Sequence, residues 1–292
     1  MSANTLAVVI PTYERHQTLV ETIDHLMQAQ PAADEVIVVD QSPAHPPEVQ
    51  QRLADLAARG RIRWLRMAEP SIPRAMNLGL RAATADLVLF LDDDVVPVRD
   101  LVARHAEAHR EPGVVVVAGQ VLQPGEEPEA LAGARFAFRS SLRQQVEEVM
   151  GGNFSVRRTT ALECGGFDEN FVQVAYRFEA DFCRRIRRHG SIAFEPAAGI
   201  RHLRAGSGGT RSYGDHLRTA RPAHAVGEYY YLLCDRSRPG RWRAFLGRPW
   251  RAIATRHHLT HPWWILPTLC AELIGMSWAL ALRARGPRLV SP

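Results

Sequence analysis

The chain has 292 residues, of which 46% are hydrophobic and 23% are charged, and its formal net charge is +5. This length and composition exclude an intrinsically disordered chain and allow one large α/β domain with an appendage, or two modest domains. A positive charge suits phosphorylated ligands, nucleic acid or an anionic membrane surface. The four cysteines are widely spaced with no Cys-x-x-Cys pair, so we expect reduced thiols in a cytosolic protein and neither a zinc site nor a disulfide framework.

The first hundred residues alternate between short apolar runs and segments of helical periodicity. We predict buried strands at residues 6–10 and 35–39, a short strand at 62–66 and a further apolar strand at 87–91, and the periodic segments predict helices at 17–28, 49–59 and 72–83. This alternation predicts a parallel, doubly wound sheet flanked by helices. Because the first apolar run is a predicted strand, we expect no secretory signal peptide.

Polar residues follow three of these predicted strands. Thr12 and Glu14 follow the first, Asp40 ends the second, and Asp92–Asp94 follow the fourth. Ligands of such sheets bind beyond the carboxyl ends of the strands. We therefore expect these side chains to converge on one rim of the sheet.

Three adjacent aspartates repel one another unless something offsets their charge. A divalent cation does so, because Mg²⁺ and Mn²⁺ prefer carboxylate and phosphate oxygens. Alternate residues of an extended segment point the same way, so Asp92 and Asp94 are the expected ligands, while Asp93 would face a sugar hydroxyl or a ribose. The alternative is a solvated acidic turn that caps a following helix.

The rest of the chain gives weaker patterns. We predict helices at residues 101–109 and 178–189, strands at 114–122 and 192–194, an exposed turn at 124–128, and no assignment for 131–149. From about residue 211 the composition shifts to Arg, His, Trp and Tyr, and residues 263–282 are apolar apart from Glu272. That segment is long enough to span a bilayer, but Glu272, Gly275 and Pro267 equally favour an interfacial helix or one packed on the preceding domain or on a second subunit.

Several motifs occur in a fixed order along residues 6–205. They include Val-Val-Ile-Pro-Thr-Tyr-Glu-Arg at 8–15, Pro-Arg-Ala-Met-Asn-Leu-Gly at 73–79, the strand ending in Asp-Asp-Asp at 94, Gly-Gly-Asn-Phe at 151–154, Gly-Gly-Phe-Asp-Glu at 165–169 and Phe-Glu-Ala-Asp-Phe-Cys at 178–183. Together they resemble the inverting family 2 glycosyltransferases of the GT-A fold, although no single motif would suffice.

The resemblance implies an α/β, Rossmann-like GT-A fold, with a mostly parallel central sheet flanked by helices and a mainly helical C-terminal extension. Residues 1–210 would form the catalytic domain, with a nucleotide-binding half at 1–100 and an acceptor-binding half at 101–210, and residues 211–292 would form a basic, aromatic extension. The implied activity is metal-dependent transfer of a sugar from a UDP-, dTDP- or GDP-sugar to the hydroxyl of a glycan, lipid-linked or small-molecule acceptor, in cell-surface glycan or glycoconjugate synthesis.

The resemblance also implies roles for residues near the donor. Pro11, Thr12 and Glu14 would lie against the nucleotide, Asp40 would accept a hydrogen bond from the base, and Arg74 would contact the nucleotide or its phosphates. A planar, permanently charged guanidinium suits that last role. The alternatives are a surface helix arginine for Arg74 and a strand-end cap for Asp40.

The implied cation, Mg²⁺ or Mn²⁺, would be held by Asp92, Asp94 and His202, and Asp93 would contact the donor. His202 is one of twelve histidines, so an unrelated role is the alternative. Residues 206–209 form a glycine-rich stretch that we expect to act as a flexible loop over the donor.

Inversion requires a base that deprotonates the acceptor hydroxyl. The resemblance places an acidic pair at a helix start, but Phe178 occupies the position of the family's Glu and Glu179 that of its Asp. Glu179 is our first choice for the base and Asp181 the second. Alternatively, both acids favour a helix N-terminus, with Asp181 paired to Arg185 at i,i+4 spacing.

Two other functions fit parts of this pattern. A sugar nucleotidyltransferase would carry a glycine-rich basic signature where this chain has residues 11–15. A non-catalytic nucleotide-sugar-binding protein would explain the altered acidic motif. We expect no nucleic-acid partner, since no module that reads nucleic acid is recognised. We expect peripheral membrane contact through the C-terminal region. The expected location is the cytoplasm, including the cytoplasmic face of a membrane. An oligomer is left open.

Overall fold

A computed structural model describes residues 4–204, 206, 208–209 and 217–291. The strands are β1 (Leu6–Thr12), β2 (Glu35–Asp40), β3 (Arg63–Arg66), β4 (Leu87–Leu91), β5 (Val95–Pro97), β6 (Val114–Leu122), β7 (Gln144–Val146), β8 (Asn153–Arg157) and β9 (Ser191–His202). The α-helices are α1 (Gln17–Leu26), α2 (Pro47–Ala58), α3 (Ile72–Ala82), α4 (Leu101–Ala108), α5 (Arg158–Glu163), α6 (Phe178–Ile186), α7 (Ala225–Cys234), α8 (Arg241–Leu246), α9 (Arg248–Ile253), α10 (Arg256–Thr260) and α11 (Ile265–Arg285). The expected boundary at residues 210 and 211 lies outside the described residues.

One sheet organises the described part of the chain, with the strand order β3-β2-β1-β4-β8-β6-β9-β5 and with β7 beside β9. The first four strands pair in parallel, as predicted for the first hundred residues. The apolar residues of β1, β2 and β4 are buried on both faces, which a parallel sheet covered by helices requires, while Trp64 and Leu65 of the edge strand β3 are half-buried. The predicted α/β, GT-A-like fold class is therefore confirmed.

The second half of the sheet is mixed, which corrects the expectation of a mostly parallel sheet there. Strand β8 runs antiparallel to both β4 and β6, and β9 is parallel to β6 but antiparallel to β5 and β7. The predicted strand at residues 192–194 is only the start of β9, which has 12 residues. A register shift opposite Gly119 and Gln120 lets β9 pass Pro196 and continue to His202.

The C-terminal helices pack on the sheet domain. On α7, Tyr229 and Tyr230 are fully buried, and the Tyr230 hydroxyl donates to Asp168 at 2.8 Å. Helix α11 packs against α7 at Gly275, where an added Cβ would collide with Ala225. The helical extension expected from the sequence is thus part of the same hydrophobic core.

Candidate active site

A cavity of about 590 Å³ opens at the carboxyl ends of β1 and β4, where the sequence predicted a ligand rim. One side of it is formed by residues 11–13, Arg15 and Asp92–Asp94, and the other side by residues 173–176 with Phe178 and Glu179. This volume suits a ligand of drug or nucleotide size. The aspartates and Glu179 therefore face a common space.

The three acids after β4 differ in their surroundings. The Asp92 side chain is 44% exposed, whereas that of Asp94 is only 2% exposed. Asp94 pairs with Arg15 through one oxygen, and its other oxygen lies 3.2 Å from His202 Nε2. The pairing of β5 with β9 sets Val95 opposite His202, which explains why a residue so distant in sequence reaches the acids.

Ligand atoms of Asp92, Asp94 and His202 all lie within 4.8 Å of one another. Two carboxylates and one imidazole are a donor set that fits Mg²⁺ or Mn²⁺. His202 Nδ1 accepts the backbone N–H of Arg204 at 3.0 Å, so the Nε2 that faces the acids carries the proton in this arrangement. Hydrogen bonding to Asp92 raises the pKa of His202 and favours that proton. Coordination through Nε2 would require the Arg204 bond to be given up, and Asp94 would have to give up its contact with the Nε2 proton.

Asp93 lies in the wall of the cavity and is 8% exposed. Burial, together with the charges of Asp92 and Asp94, raises the pKa of Asp93 to about 7. The Thr12 hydroxyl and Arg15 act in the opposite direction. Near neutral pH this carboxyl is therefore poised between an acceptor and a donor of hydrogen bonds, and either form suits a contact with a sugar hydroxyl.

Two glycines connect the acids with Glu179. Gly152 has a left-handed φ of +95°, and an added Cβ would collide with the Asp92 carboxylate. A Cβ on Gly151 would lie 2.6 Å from Glu179 Oε1. The Gly-Gly pair is therefore required by close approach of both carboxylates to the backbone.

Glu179 lies in the first turn of α6 and lines the cavity. Removal from solvent, together with the charges of Asp92 and Glu148, raises the pKa of Glu179 to about 8. A carboxyl with a pKa near the working pH is suited to proton transfer. Phe178, which replaces an acid of the family pattern, is buried with its ring 5.8 Å from that of Phe167.

The loop before α6 has an unusual backbone. Gln173, Ala175 and Arg177 all have positive φ, at 62°, 51° and 72°. Such residues are sparse outside glycine and cluster at functional sites. Arg177 donates to Glu228 of α7 at 2.8 Å, and this ion pair ties the cavity wall to the C-terminal helices.

Asp40, which we predict to accept a hydrogen bond from a nucleobase, is not among the residues that line the cavity. Its side chain is fully buried and accepts four bonds, from the backbone N–H of Ser42, His45 Nε2, Trp64 Nε1 and Arg66. Three of these donors bond to Oδ2 and one, the N–H of Ser42, bonds to Oδ1, so the surrounding segments hold the Asp40 side chain in place. The hydrogen bonds of His45 and Ser42 lower the pKa of Asp40 against the opposing effect of burial.

Two further expected donor contacts also lie outside the cavity. Glu14 has a positive φ of 53°, and its neighbours Tyr13 and Arg15 line the cavity while Glu14 does not. Arg74 lies in the first turn of α3 and pairs with Glu69 at 2.7 Å, partly exposed. Pro11 and Thr12, by contrast, line the cavity as expected.

Asp181, the second choice for the base, points away from the cavity. It is buried and bonded to Arg184 at 2.6 Å and to Arg185 at 2.8 Å. Arg185 also donates to the backbone oxygens of Cys164 and Gly166, both at 2.7 Å. Asp181 therefore anchors α6 to the turn after α5.

The structure also brings to the cavity residues that the sequence did not single out, among them Arg15, Tyr176 and Arg221. Arg15 ends the motif at residues 8–15, so its position after β1 was a usable signal. Tyr176 lies between the motif at residues 165–169 and α6, where the sequence predicted no element. Arg221 lies beyond the last recognised motif, where no pattern indicated a role.

The parallel sheet, the acidic rim at its edge and the facing carboxylate define a protein of the GT-A glycosyltransferase class. The sequence model described as Glycosyl transferase family 2 matches residues 7–173. The chain belongs to this family and is a glycosyltransferase. A search of the curated proteins gives no match.

Solved structures with a similar fold include three glycosyltransferases of low sequence identity. Mannosyltransferase PcManGT from Pyrobaculum calidifontis, in complex with GDP-Man and Mn²⁺, is 20% identical with a TM-score of 0.58, over 98% of this chain and 80% of that one. GalNAc-T7 with UDP, GalNAc and Mn²⁺ is 14% identical with a TM-score of 0.58, over 75% and 51%. S. aureus TarS 1–349 with UDP-GlcNAc is 14% identical with a TM-score of 0.56, over 77% and 64%. At these identities the likeness concerns the fold.

Proposed function

We propose that this glycosyltransferase is inverting and metal-dependent, and that it moves a sugar from a nucleoside-diphosphate donor to an acceptor hydroxyl. The observation that carries the proposal is one cavity lined both by the cluster of Asp92, Asp94 and His202 and by Glu179 with its raised pKa. The first set suits a cation and a diphosphate, and the second suits proton removal.

In the proposed complex the nucleotide lies against Pro11 and Thr12, and a cation at Asp92 and Asp94 would hold the diphosphate, with Arg15 on the same side of the cavity. Asp93 contacts the donor sugar. Solved proteins of this fold hold GDP-Man or UDP-GlcNAc, which supports a nucleotide-sugar donor, with UDP-, dTDP- and GDP-sugars as the set to be tested. Asp40 lies outside the cavity lining and Gln41 lies within it, so the nucleobase contacts Gln41 in the proposed complex.

The proposed reaction forms one bond and breaks one. Glu179 removes the proton of the acceptor hydroxyl, whose oxygen bonds to the anomeric carbon as the bond to the diphosphate oxygen breaks. A bound Mg²⁺ or Mn²⁺ at Asp92 and Asp94 would supply positive charge beside the departing diphosphate. Arg15 adds a fixed positive charge on the same side. We prefer Glu179 to Asp181 as the base because only Glu179 lines the cavity.

The proposal extends to the setting of the enzyme. Residues 1–210 serve as the catalytic domain and residues 211–292 as its helical extension. The acceptor is a glycan, a lipid-linked glycan or a small molecule used in cell-surface glycan or glycoconjugate synthesis. The reaction takes place in the cytoplasm, at the cytoplasmic face of a membrane where the acceptor is lipid-linked.

Two substitutions test the proposal on the purified protein with a panel of UDP-, dTDP- and GDP-sugars, with and without Mn²⁺. Glu179→Gln is expected to keep the Mn²⁺-dependent thermal stabilisation by the donor but to lower transfer or donor hydrolysis by about a thousandfold. Asp92→Asn is expected to lose the Mn²⁺-dependent stabilisation itself. Glu127→Gln, an exposed carboxyl-to-amide change, is the matched control and should behave as the wild type.

The outcomes separate the alternatives. Unchanged turnover in both Glu179→Gln and Asp92→Asn would overturn the proposal. Donor binding without any turnover of the wild-type protein, across many acceptors, would favour the non-catalytic binding protein. Retention of stereochemistry in the product would reject inversion while leaving the donor site in place.

A further inference from the structure

The C-terminal helices expose large apolar side chains to solvent. Within residues 242–266 six of them are between 56% and 83% exposed: Trp242, Leu246, Trp250, Leu259, Trp263 and Leu266. We call these six residues the tryptophan surface. Their helices pack in series, α8 on α9, α9 on α11, and α10 on the 3-10 turn Pro262–Trp264 before α11. Apolar exposure of this density marks an interaction site.

Helix α11 continues this exposure along one side. Its buried residues, among them Ala271, Gly275 and Ala279, recur at helical spacing and pack towards α7, while Leu273 and Ile274 face out. The segment Pro262–Arg285 is long enough to cross a bilayer and contains an 18-residue window with a mean hydropathy of 1.7, of which 33% is buried. One face of α11 thus packs on α7, and the opposite face is exposed.

The charge of this region is strongly biased. Residues 236–292 contain ten arginines and one acid, Glu272, so they carry a net charge of +9 while residues 1–235 carry −4. Glu272 is buried and paired with Arg248 at 2.9 Å, which leaves exposed arginines such as Arg243 and Arg256 without a carboxylate partner among the described residues. The uncovered apolar surface is therefore bordered by positive charge.

We propose that the tryptophan surface docks the enzyme on an anionic lipid bilayer, lying in the headgroup region without crossing the membrane. Tryptophans bordered by arginines suit that region, where an indole ring is half apolar and an arginine meets lipid phosphate. A spanning α11 would have to leave α7 and carry Glu272 into hydrocarbon. A symmetric dimer through the same face would oppose one set of unpaired arginines to its copy.

Helix α7 connects the docking surface with the cavity wall. Gly227 of α7 lies directly against the backbone of Tyr176 in the cavity wall, and α11 packs on α7. In the docked enzyme only α7 therefore separates the acceptor side of the cavity from the membrane-facing helices. This consequence, which rests on the proposed function, favours an acceptor presented by the membrane, whereas the docking itself does not depend on turnover.

Vesicle flotation of the full chain tests the docking. The wild type is expected to float with vesicles of phosphatidylcholine and phosphatidylglycerol, less with phosphatidylcholine alone, and less again in high salt. Trp250→Ser with Trp263→Ser should weaken binding by about tenfold or more. Arg243→Gln with Arg256→Gln should weaken it by about thirtyfold, since each arginine near such a surface contributes about 1 kcal/mol.

The controls and the contrary results are defined by the same assay. Arg59→Gln with Arg110→Gln removes the same charge from exposed positions outside the C-terminal helices and should bind as the wild type. Failure of the wild type to float, or equal flotation of both test variants, overturns the proposal. A concentration-dependent dimer that the tryptophan variant loses, without vesicle binding by the wild type, assigns the surface to self-association. Mn²⁺-dependent stabilisation by the donor should persist in every variant, which separates this test from that of the proposed function.

Discussion

The two walls of the cavity are built in different ways. Asp92 follows β4, whose backbone is paired to β1 on one side and to β8 on the other. Glu179 follows a loop with three left-handed residues, and the ion pair between Arg177 and Glu228 is the charged contact that secures this loop. The first wall is held by the sheet and the second by side chains.

This difference suits the two substrates. A cation and a diphosphate need carboxylates at defined positions, which a central strand provides. An acceptor hydroxyl must be admitted, deprotonated and released as a product, and a wall on a loop can adjust to that cycle. Among substitutions that leave both carboxylates in place, those in the strand-held wall should therefore have larger effects than those in the loop-held wall.

Among substitutions that leave Asp92 and Glu179 themselves in place, Gly152→Ala should give the largest effect, because the added Cβ displaces the Asp92 carboxylate. A displacement on the order of 1 Å lowers catalysis by about a hundredfold, so we expect this loss in transfer together with weaker Mn²⁺ dependence. Gly125→Ala is the matched control, since Gly125 also has a positive φ, +80°, but no atom lies within 4 Å of its added Cβ. Equal losses in both variants would show that backbone strain, and not Asp92, is responsible.

The pH dependence of transfer should report Glu179. A base with a pKa raised to about 8 gives a rate that increases about tenfold per pH unit on the acid side and then levels off. A cation at Asp92 offsets one of the charges that raise this pKa, so the rising part of the pH–rate profile should move to lower pH in saturating Mn²⁺. Glu148→Gln removes another such charge and should also move this part of the profile to lower pH.

The same shift makes a prediction for stability. The folded-state pKa of Glu179 lies above its ordinary value of 4.5, so the folded protein binds more protons between the two values. Stability should therefore fall as the pH rises from about 4.5 towards about 8, and Glu179→Gln should remove this part of the slope in thermal unfolding. An identical slope in wild type and variant would contradict the assignment.

The strand-held wall was also the more predictable one from sequence. The apolar run of β4 leads directly into the acids, and parallel pairing brings Thr12 to the same edge. Glu179 was assigned only through ordered motifs, since no local pattern shows which face of α6 lines a cavity. Tertiary contacts decided the difference between Glu179 and Asp181, because Arg185 binds Asp181 and also a distant turn.

Asp40 shows a different limit. The position of Asp40 at the end of β2 was predicted from the sequence. The groups that donate hydrogen bonds to its carboxylate come from other segments, with Arg66 opposite it in β3 and His45 in the loop after β2. The length of β9 was hidden for a similar reason, because Pro196 ended the apolar pattern and a bulge carried the strand onward. Roles that depend on pairing between distant segments cannot be assigned from local pattern.

Glu228→Gln should have the smallest effect, because it removes one partly buried ion pair from the loop-held wall. Such a pair contributes about 1 kcal/mol, so we expect a loss of about fivefold in kcat/KM for the acceptor, with Mn²⁺-dependent donor binding unchanged. Glu111→Gln breaks an ion pair of the same 2.8 Å length with Arg143, outside the cavity lining, and is the control. If Glu228→Gln weakened donor binding as much as acceptor use, the two walls would not act separately, and the loop would have to be counted as part of the donor site.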